Sequence, residues 1–423
     1  MEPSSSPKTT IDIASLVFCC LATTLSDLNF ALIAPFFPIV ALAHGLTSTG
    51  IGVIFAAQPL SVMIGALCAP LVLERVGAFV TLRSSILAQA LFTLAMASVD
   101  RLAAGWLPFL IACTALRVLQ GLACGFTETA AASLAMRSVS TQHIATAVGV
   151  VSASRGLGVV SGPPLGGVTF DSLGFAAPFA LAALLMFILG CTMLVVVPLA
   201  THAPAPNATS NPPTWDLLRV SAVLVALVAM WSVHSSITFL APTLQPFLTA
   251  PPFSLSPSAI GLVFMFCTIA FALMAALAGV ISSIIGHAYQ MMLGLLLIAA
   301  GYVFVGPAPW VIPFVGTSMG VTVTALVLAA MGGGLAMVPA TPLMISGSQA
   351  EGFSARQSMD GVAALATLAG SFGGVSGSLF GGCFAEVFDF PTAASLFAII
   401  PLLVAPLLFP FRKGARRQTP VLC

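Results

Sequence analysis

The segment GLGVVSGPPLGG, from Gly156 to Gly167, places five glycines and two adjacent prolines inside a long apolar stretch. In a soluble protein both residue types disfavour a helix interior. In a bilayer they are common in helices, because a smooth glycine surface lets a neighbouring helix approach closely. Gly158, Gly162 and Gly166 are four residues apart and therefore form one stripe on one helix face. The segment predicts a membrane helix that packs tightly and, at its prolines, bends.

The composition of the whole chain agrees with a lipid environment. Of its 423 residues, 59% are hydrophobic and only 6% are charged, whereas about a quarter of the residues in a soluble domain are charged. The formal net charge is +1, and we find neither a basic patch nor an acidic tail. We therefore expect a multi-pass membrane protein with no nucleic-acid partner.

Twelve apolar segments are long enough to cross a bilayer, which takes about 20 residues. They divide into six and six around a proline-rich polar linker at 201–216, so we expect bundles at 1–200 and 217–423, the second with a short basic tail. We predict an all-α protein of two six-helix bundles. The expected spans are 13–39, 49–73, 84–100, 107–136, 143–169, 175–199, 217–245, 258–283, 288–307, 311–345, 358–385 and 391–411.

The positive charges predict the orientation of these spans. Ten Lys and Arg residues fall on the side of the termini, and Arg101 alone falls on the opposite side. Arg117 and Arg155 lie within spans. Because Lys and Arg remain in cytoplasmic loops, we expect both termini and the linker to be cytoplasmic.

The two halves of the sequence resemble each other. IGVIF (51–55) matches IGLVF (260–264) at an offset of 209 residues, and GVVSGPPLGG (158–167) matches GGVSGSLFGG (373–382) at an offset of 215. Parallel repeats of this kind are typical of transporters with a central substrate site and alternating access. The second segment carries a matching glycine stripe, and we expect two paired seams that let the halves rock. Its glycines are Gly373, Gly377 and Gly381.

Four charged residues lie inside predicted spans, namely Asp27, Arg117, Glu128 and Arg155. A charge at the centre of a membrane helix costs about 2.5–3.5 kcal/mol on insertion scales, so each must face the interior and find a partner. Two acids and two bases suggest a neutral network. We expect Asp27 to pair with Arg155 or Arg117, which leaves Glu128 freer to carry a proton or meet a cation. A purely bracing role for the two arginines is the alternative.

Other chemistry-bearing residues are sparse. His234, in the seventh span, is a candidate for protonation, although a lone histidine on an apolar face is more often a hydrogen-bonded core residue. The nine cysteines form no CxxC pair, and we expect neither a metal site nor a cofactor. Because no nucleophile and base stand at a catalytic spacing, we expect no enzyme activity.

Several motifs resemble those of the major facilitator superfamily. The fifth span matches its antiporter motif, and RVLQG matches its fourth-helix motif through Arg117, Gln120 and Gly121. The loop PLVLERVGAFVTLR (70–83) is similar to its loop between helices two and three, with Glu74, Arg75, Gly77 and Arg83 at motif positions. That loop departs from the pattern at Pro70, Glu74 and Ala78, which weakens the expectation that it gates transport. The antiporter positions are Gly149, Gly158, Gly162, Pro163, Gly166 and Gly167.

Within this superfamily the chain resembles the vesicular amine and polyamine transporters, with the polyamine branch nearest. The resemblance is carried by PFFP (35–38), IGVIFA (51–56), SGPPLGG (161–167) with APFALAALL (177–185), and GFSARQSMDG (352–361). It implies proton-coupled antiport of a small organic cation out of the cytoplasm, by a monomer in an acidic vesicle or organelle membrane or in the plasma membrane. The acids of the monoamine members in helices 7, 10 and 11 do not carry over, because their positions hold Ala241, Pro339 and Thr367, whereas Asp27 lies within a residue of their first-helix acid.

Two alternatives stay open. An exporter of organic anions or drugs would use Arg117 and Arg155, since the bases equal the acids in number. A non-transporting receptor or a channel is the other alternative, although we find no repeated pore-lining filter of the kind a channel needs. Protons, a small-molecule substrate and the lipid bilayer are the partners that the first interpretation requires.

Overall fold

The computed structural model describes residues 13–103, 105–139, 143–196, 215–306 and 318–417, and these are helical without strands. Most of the predicted linker, 201–214, lies outside them. The first half contains α1 (Ile13–Ala31), α2 (Phe37–Ala43), α3 (Ser48–Val76), α4 (Ala78–Met96), α5 (Val99–Leu102), α6 (Trp106–Arg137), α7 (Ile144–Leu173) and α8 (Ala176–Val196). The second half contains α9 (Ser221–Thr249), α10 (Pro257–Ile285), α11 (His287–Val305), α12 (Met319–Met337), α13 (Ala340–Ala350), α14 (Ala355–Val387), α15 (Phe390–Phe397) and α16 (Ile399–Val404). Two 3-10 segments, Asp216–Arg219 and Ala405–Arg417, flank this second set.

Eleven segments among the described residues are long and apolar enough to cross a membrane. Helix α7 is not among them, although it has 30 residues. Its glycine stripe nevertheless lies along α1, with Gly158 at Thr24, Gly162 at Leu28 and Gly166 at Leu32. The two helices therefore run in parallel through the same depth, and the total of twelve spans stays a prediction that rests on α7.

The first, tenth and last predicted spans are interrupted, and prolines lie at or near each of these breaks. The first span is divided into α1 and α2 by a turn at 32–36 that contains Pro35. The tenth is divided between α12 and α13 at Pro339, and the last is divided into α15, α16 and a 3-10 segment. The ring of proline blocks a helical hydrogen bond, so it lets the chain change direction there. The predicted start of the third span, residue 84, is wrong, because α4 begins six residues earlier, at Ala78.

Each glycine stripe packs within its own half. A Cβ atom added at Gly162 would lie 2.7 Å from the Leu28 carbonyl oxygen of α1, and one at Gly381 would lie 2.7 Å from the Phe239 carbonyl oxygen of α9. The stripes thus occupy equivalent places, α7 on α1 and α14 on α9. The two seams are paired, as expected, but each faces a helix of its own half, so the stripes are not themselves the contact between the halves and a role in rocking stays a prediction.

The halves meet mainly through two other helix pairs, α3 with α14 and α7 with α10, and α2 and α3 make smaller contacts with α9. Here too glycine allows the close approach: a Cβ at Gly52 would lie 2.6 Å from the Ser378 carbonyl, and one at Gly261 would lie 2.5 Å from the Pro163 carbonyl. These contacts lie where α3 and α10 begin, which we call the far side. The opposite end, where α1 begins at Ile13 and α6 ends, is the linker side. The halves therefore close against each other on the far side.

Candidate functional site

Three charged side chains meet in the first half and form what we call the ion cluster. Arg155 of α7 donates from Nε to Asp27 Oδ2 of α1 at 2.8 Å and from Nη2 to Glu128 Oε1 of α6 at 2.6 Å. One guanidinium thus bridges two carboxylates on two different helices. Such charge-assisted hydrogen bonds are short and directional, so they fix the relative positions of all three helices.

The glycine stripe of α7 is what brings Arg155 to Asp27. Next to Arg155, the Ser154 hydroxyl lies 3.2 Å from the Thr23 hydroxyl, and the Ser154 carbonyl accepts from Thr24 Oγ1 at 2.8 Å. Gly158, one turn further along α7, then packs on the α1 backbone at Thr24. Because this seam holds α7 directly against α1, a side chain of ordinary length on one helix reaches its partner on the other.

Glu128 is a paired residue, which corrects the expectation that it is the freer acid. It accepts from Arg155, and its Oε1 atom lies 3.7 Å from the Cys124 thiol. The side chain of Arg155 is 43% exposed, whereas those of Asp27 and Glu128 are 11% and 17% exposed. The accessible surface of the cluster is therefore on the arginine, and both acids lie behind it.

Arg117 lies apart from the acids, which corrects the expectation of one neutral network. It is 1% exposed and donates from Nη1 to Gln120 Oε1 at 3.3 Å. Gln120 in turn donates to Thr93 Oγ1 at 3.2 Å. Within the described residues, the Nε and Nη2 atoms of Arg117 have no hydrogen-bond partner. Of the two partners that the sequence allowed for Asp27, the structure selects Arg155, and the ion cluster carries two acids and one base.

A cavity of about 220 Å³ lies between the halves, and the three side chains of the ion cluster are not among the residues that line it. Val159 and Pro163, one and two turns beyond Arg155 on the same face of α7, form part of its wall. Its other walls are mainly apolar and come from both halves, with a few hydroxyl groups and one thiol. Its aromatic lining residues are Phe30, Phe55, Phe264, Phe271 and Tyr302.

His234 is held as a core residue and does not line this cavity. Its Nδ1 atom lies 2.9 Å from the Met230 carbonyl oxygen one turn earlier in α9. Its ring packs against α14, since a Cβ at Gly370 would lie 3.1 Å from Nε2 and one at Gly373 would lie 2.6 Å from the His234 Cβ. The structure thus supports the hydrogen-bonded interpretation of this residue.

The remaining motif residues occupy different environments. Gly121 packs against α3, where its Cβ would lie 2.5 Å from the Gln58 carbonyl. Gly167 faces Pro257 of the other half, whereas nothing lies within 4 Å of a Cβ at Gly149. The antiporter motif therefore combines packing positions with one position that is open in this conformation.

The loop motif forms the tight connection between α3 and α4. Gly77 has φ of +90° and so takes a backbone conformation that favours glycine. Glu74 and Arg75 are exposed and Arg83 is half-buried. No described residue forms an ion pair with any of the three.

Two acids at the far-side helix ends, where the sequence alone suggests only solvation by water, form hydrogen bonds between the halves. Glu386 Oε2 accepts from the Thr49 N–H group at 2.9 Å, and Asp171 Oδ2 accepts from the Ser258 N–H group at 2.8 Å. The internal repeat could have revealed this pair from the sequence, because each acid follows one of the two matched glycine segments. Among the described residues, no group of three or more His, Cys, Asp or Glu side chains is arranged to hold a metal ion.

The comparisons with known proteins agree on one family. The family model described as Major Facilitator Superfamily matches residues 19–366. The rat protein called MFS-type transporter SLC18B1 is 28% identical over 94% of this chain and 85% of its own length. The human chromaffin granule amine transporter is 23% identical over 71% of this chain and 55% of its own length.

A solved structure shows the same fold. It is a bacterial homologue of the human lysosomal transporter Spinster, in an inward-facing and occupied conformation. It superposes with a TM-score of 0.74 at 14% identity and covers 99% of this chain and 100% of the other. At this identity the likeness is one of fold alone, and it agrees with the helical architecture described above.

Proposed function

Because this chain belongs to the Major Facilitator Superfamily, we propose that it is a proton-coupled antiporter of a small organic cation, an amine or a polyamine. The family and its relatives identify a multi-pass membrane transporter and not an enzyme. Coupling to protons, the direction of transport and the chemistry of the substrate are what the proposal adds. We further propose a monomer in the membrane of an acidic compartment or in the plasma membrane.

The net charge of the ion cluster is the observation that carries this proposal. With Asp27, Glu128 and Arg155 ionised, the cluster carries a charge of −1, and Val159, one turn beyond Arg155 on α7, lines the cavity. A single cation neutralises that charge, and so does a single proton. Because either ligand disfavours the other at one site, the arrangement supplies the reciprocal linkage that antiport requires.

The cavity wall supports an organic substrate. Its lining is mainly apolar and aromatic, with Phe30 and Phe55 from the first half and Phe264 and Phe271 from the second. Aromatic faces attract cations, and apolar walls accept the carbon body of an amine. Amine transport is also what the name of the human chromaffin granule relative states. The cavity lining and this relative therefore both support an amine as the substrate class.

The proposed cycle follows from these charges. A proton that enters from an acidic far side neutralises Asp27 or Glu128, and the bound cation leaves because its attraction to the cluster is lost. The halves then reorient and the proton departs to the cytoplasm. The restored carboxylate binds the next cation, so that each cycle moves the substrate out of the cytoplasm.

Export of an organic anion is less well supported by the same geometry. Arg155 is engaged by two carboxylates, and the unpaired atoms of Arg117 belong to a side chain that is 1% exposed. Although part of the Arg155 side chain is exposed, its guanidinium already binds two carboxylates, so an anionic substrate would have to displace one of them in this conformation.

Proteoliposomes with an acidic interior test the coupling. We expect uptake of a labelled amine that depends on the gradient, and we expect Glu128→Gln to abolish that uptake because the cluster loses its net negative charge. Glu351→Gln, an exposed acid outside the cluster, serves as the matched control and transports normally. Gradient-driven uptake at the unaltered rate by Glu128→Gln would contradict the role of this residue.

A competition panel tests the substrate class. Spermidine, serotonin and a monocarboxylate are added in turn during uptake of the labelled amine. We expect one of the two amines to compete and the monocarboxylate to have no effect. Competition by the monocarboxylate alone would favour the anion exporter.

A further inference from the structure

Helices α3 and α10 begin at the far side, where their first N–H groups lack partners within the helix. In each helix the residue before the first turn satisfies one of these groups. Thr47 Oγ1 accepts from the Gly50 N–H group at 3.2 Å, and Ser256 Oγ accepts from the Ala259 N–H group at 3.3 Å. Both local caps leave the amide of the second helical residue free, at Thr49 and Ser258.

Each of those two amides is capped by a carboxylate from the other half. Glu386, near the end of α14, accepts from the Thr49 N–H group at 2.9 Å. Asp171, near the end of α7, accepts from the Ser258 N–H group at 2.8 Å and also from the Ser258 hydroxyl. A carboxylate at a helix N-terminus also interacts favourably with the helix dipole, so each contact joins the halves by charge as well as by hydrogen bonding.

The two caps are copies of each other within the repeat. Thr49 and Ser258 are 209 residues apart, which is the offset of the IGVIF and IGLVF segments. Asp171 and Glu386 are 215 residues apart, the offset of the two glycine segments. Each acid follows by four residues a glycine that faces the other half, so it lies on that same helix face. A chance contact would not recur at both sites with both offsets preserved.

We propose that Asp171 and Glu386 are the latches that hold the far side closed. Both carboxylates reach their amides only while the halves touch, so opening this side breaks both caps together. The latches belong to the conformational change and not to substrate recognition, since both lie at the far-side helix ends and outside the ion cluster and the cavity lining. Their role therefore stands or falls independently of the amine proposal.

The native thiol of Cys267 lines the central cavity, so its labelling from one side of the membrane reports whether the cavity is open to that side. A cleavable tag at the C-terminus identifies vesicles in which the protein has one orientation. A membrane-impermeant thiol reagent is then added to the far side of these vesicles, in the absence of substrate. Mass spectrometry of the Cys267 peptide follows labelling, with Cys267→Ser as the background. We expect Asp171→Ala and Glu386→Ala each to speed labelling about fivefold. This factor is what the usual free-energy cost of losing a helix cap would give if the cap stabilises only the closed state. The double variant should label about 25-fold faster, because distant sites act independently.

Asp389→Ala is the matched control, since it removes an exposed acid three residues after Glu386 that forms no side-chain cap. It should label at the unaltered rate. Labelling from the linker side should stay constant or fall in the latch variants, whereas general loosening of the fold would raise it. If the alanine variants cannot be purified as folded protein, Asp171→Asn and Glu386→Gln take their place, because the amide keeps an oxygen that accepts the hydrogen bond but carries no charge. These variants should label about twofold faster than the unaltered protein. Far-side rates equal to those of the control in every recovered variant would overturn the proposal.

Discussion

At the residue scale, the central feature is one arginine that serves two acids. Arg155 alone bridges Asp27 and Glu128, while Arg117 lies elsewhere with Gln120. Removing one member of a buried ionic group leaves the other charges uncompensated, which costs more than the group as a whole contributes. The ion cluster is therefore more sensitive to the loss of its base than to the loss of all its charges.

We expect Arg155→Met to lower the free energy of unfolding by about 1–3 kcal/mol, because it leaves two largely buried acids without their base, although solvent screens the partly exposed arginine. Adding Asp27→Asn and Glu128→Gln should restore most of this loss, because the triple variant buries no charge. Thermal unfolding in detergent measures both effects. Arg219→Met is the control, since that side chain is 85% exposed and its ion pair with Asp216 contributes little. Equal melting temperatures for the single and triple variants would contradict this account of the cluster.

At the scale of a single helix, α7 has one face that needs glycine and another that does not. Gly162 lies against the backbone of α1, where a Cβ would lie 2.7 Å from the Leu28 carbonyl oxygen. Nothing lies within 4 Å of a Cβ at Gly156. The same helix thus provides both a test position and its control.

We expect Gly162→Ala to lower the free energy of unfolding by about 1–3 kcal/mol, because the added methyl group pushes α7 away from α1. Gly156→Ala should leave stability unchanged or raise it, since alanine favours a helix more than glycine does. Thermal unfolding of the two variants under identical conditions measures the difference. The packing role of the stripe would be refuted if both variants melted together.

At the scale of the whole molecule, the adjacent glycines Gly381 and Gly382 pack against different halves of the protein. A Cβ at Gly381 would lie 2.7 Å from the Phe239 carbonyl oxygen of its own half, and one at Gly382 would lie 2.5 Å from the Ser48 carbonyl oxygen of the other half. One residue therefore supports the bundle and the next supports the closed far side. The pair separates folding stability from conformational balance.

We expect Gly381→Ala to lower the melting temperature with little change in far-side labelling of Cys267. Gly382→Ala should do the reverse, because it wedges the seam between the halves and leaves each bundle intact. Thermal unfolding and labelling rates on the same preparations measure both quantities. Parallel changes in the two variants would show that the seam and the bundle are not separable.

The sequence alone determined the lipid environment, the helical class, the repeat and the residues that must find buried partners. These follow from composition and from patterns along one helix, such as the four-residue spacing of Gly158 and Gly162. The broken first span was missed because hydropathy continues through Pro35 although the helix does not.

Only the tertiary structure decided which partners meet. It paired Asp27 with Arg155 and not with Arg117, and it gave Glu128 a partner. It packed both glycine stripes against helices of their own halves and brought Asp171 and Glu386 each into contact with the opposite half. The physical reason is that spacing fixes the face of one helix, whereas pairing depends on the rotation and depth of a second helix from elsewhere in the chain. That relation is set by packing, through glycines whose neighbours no local pattern reveals.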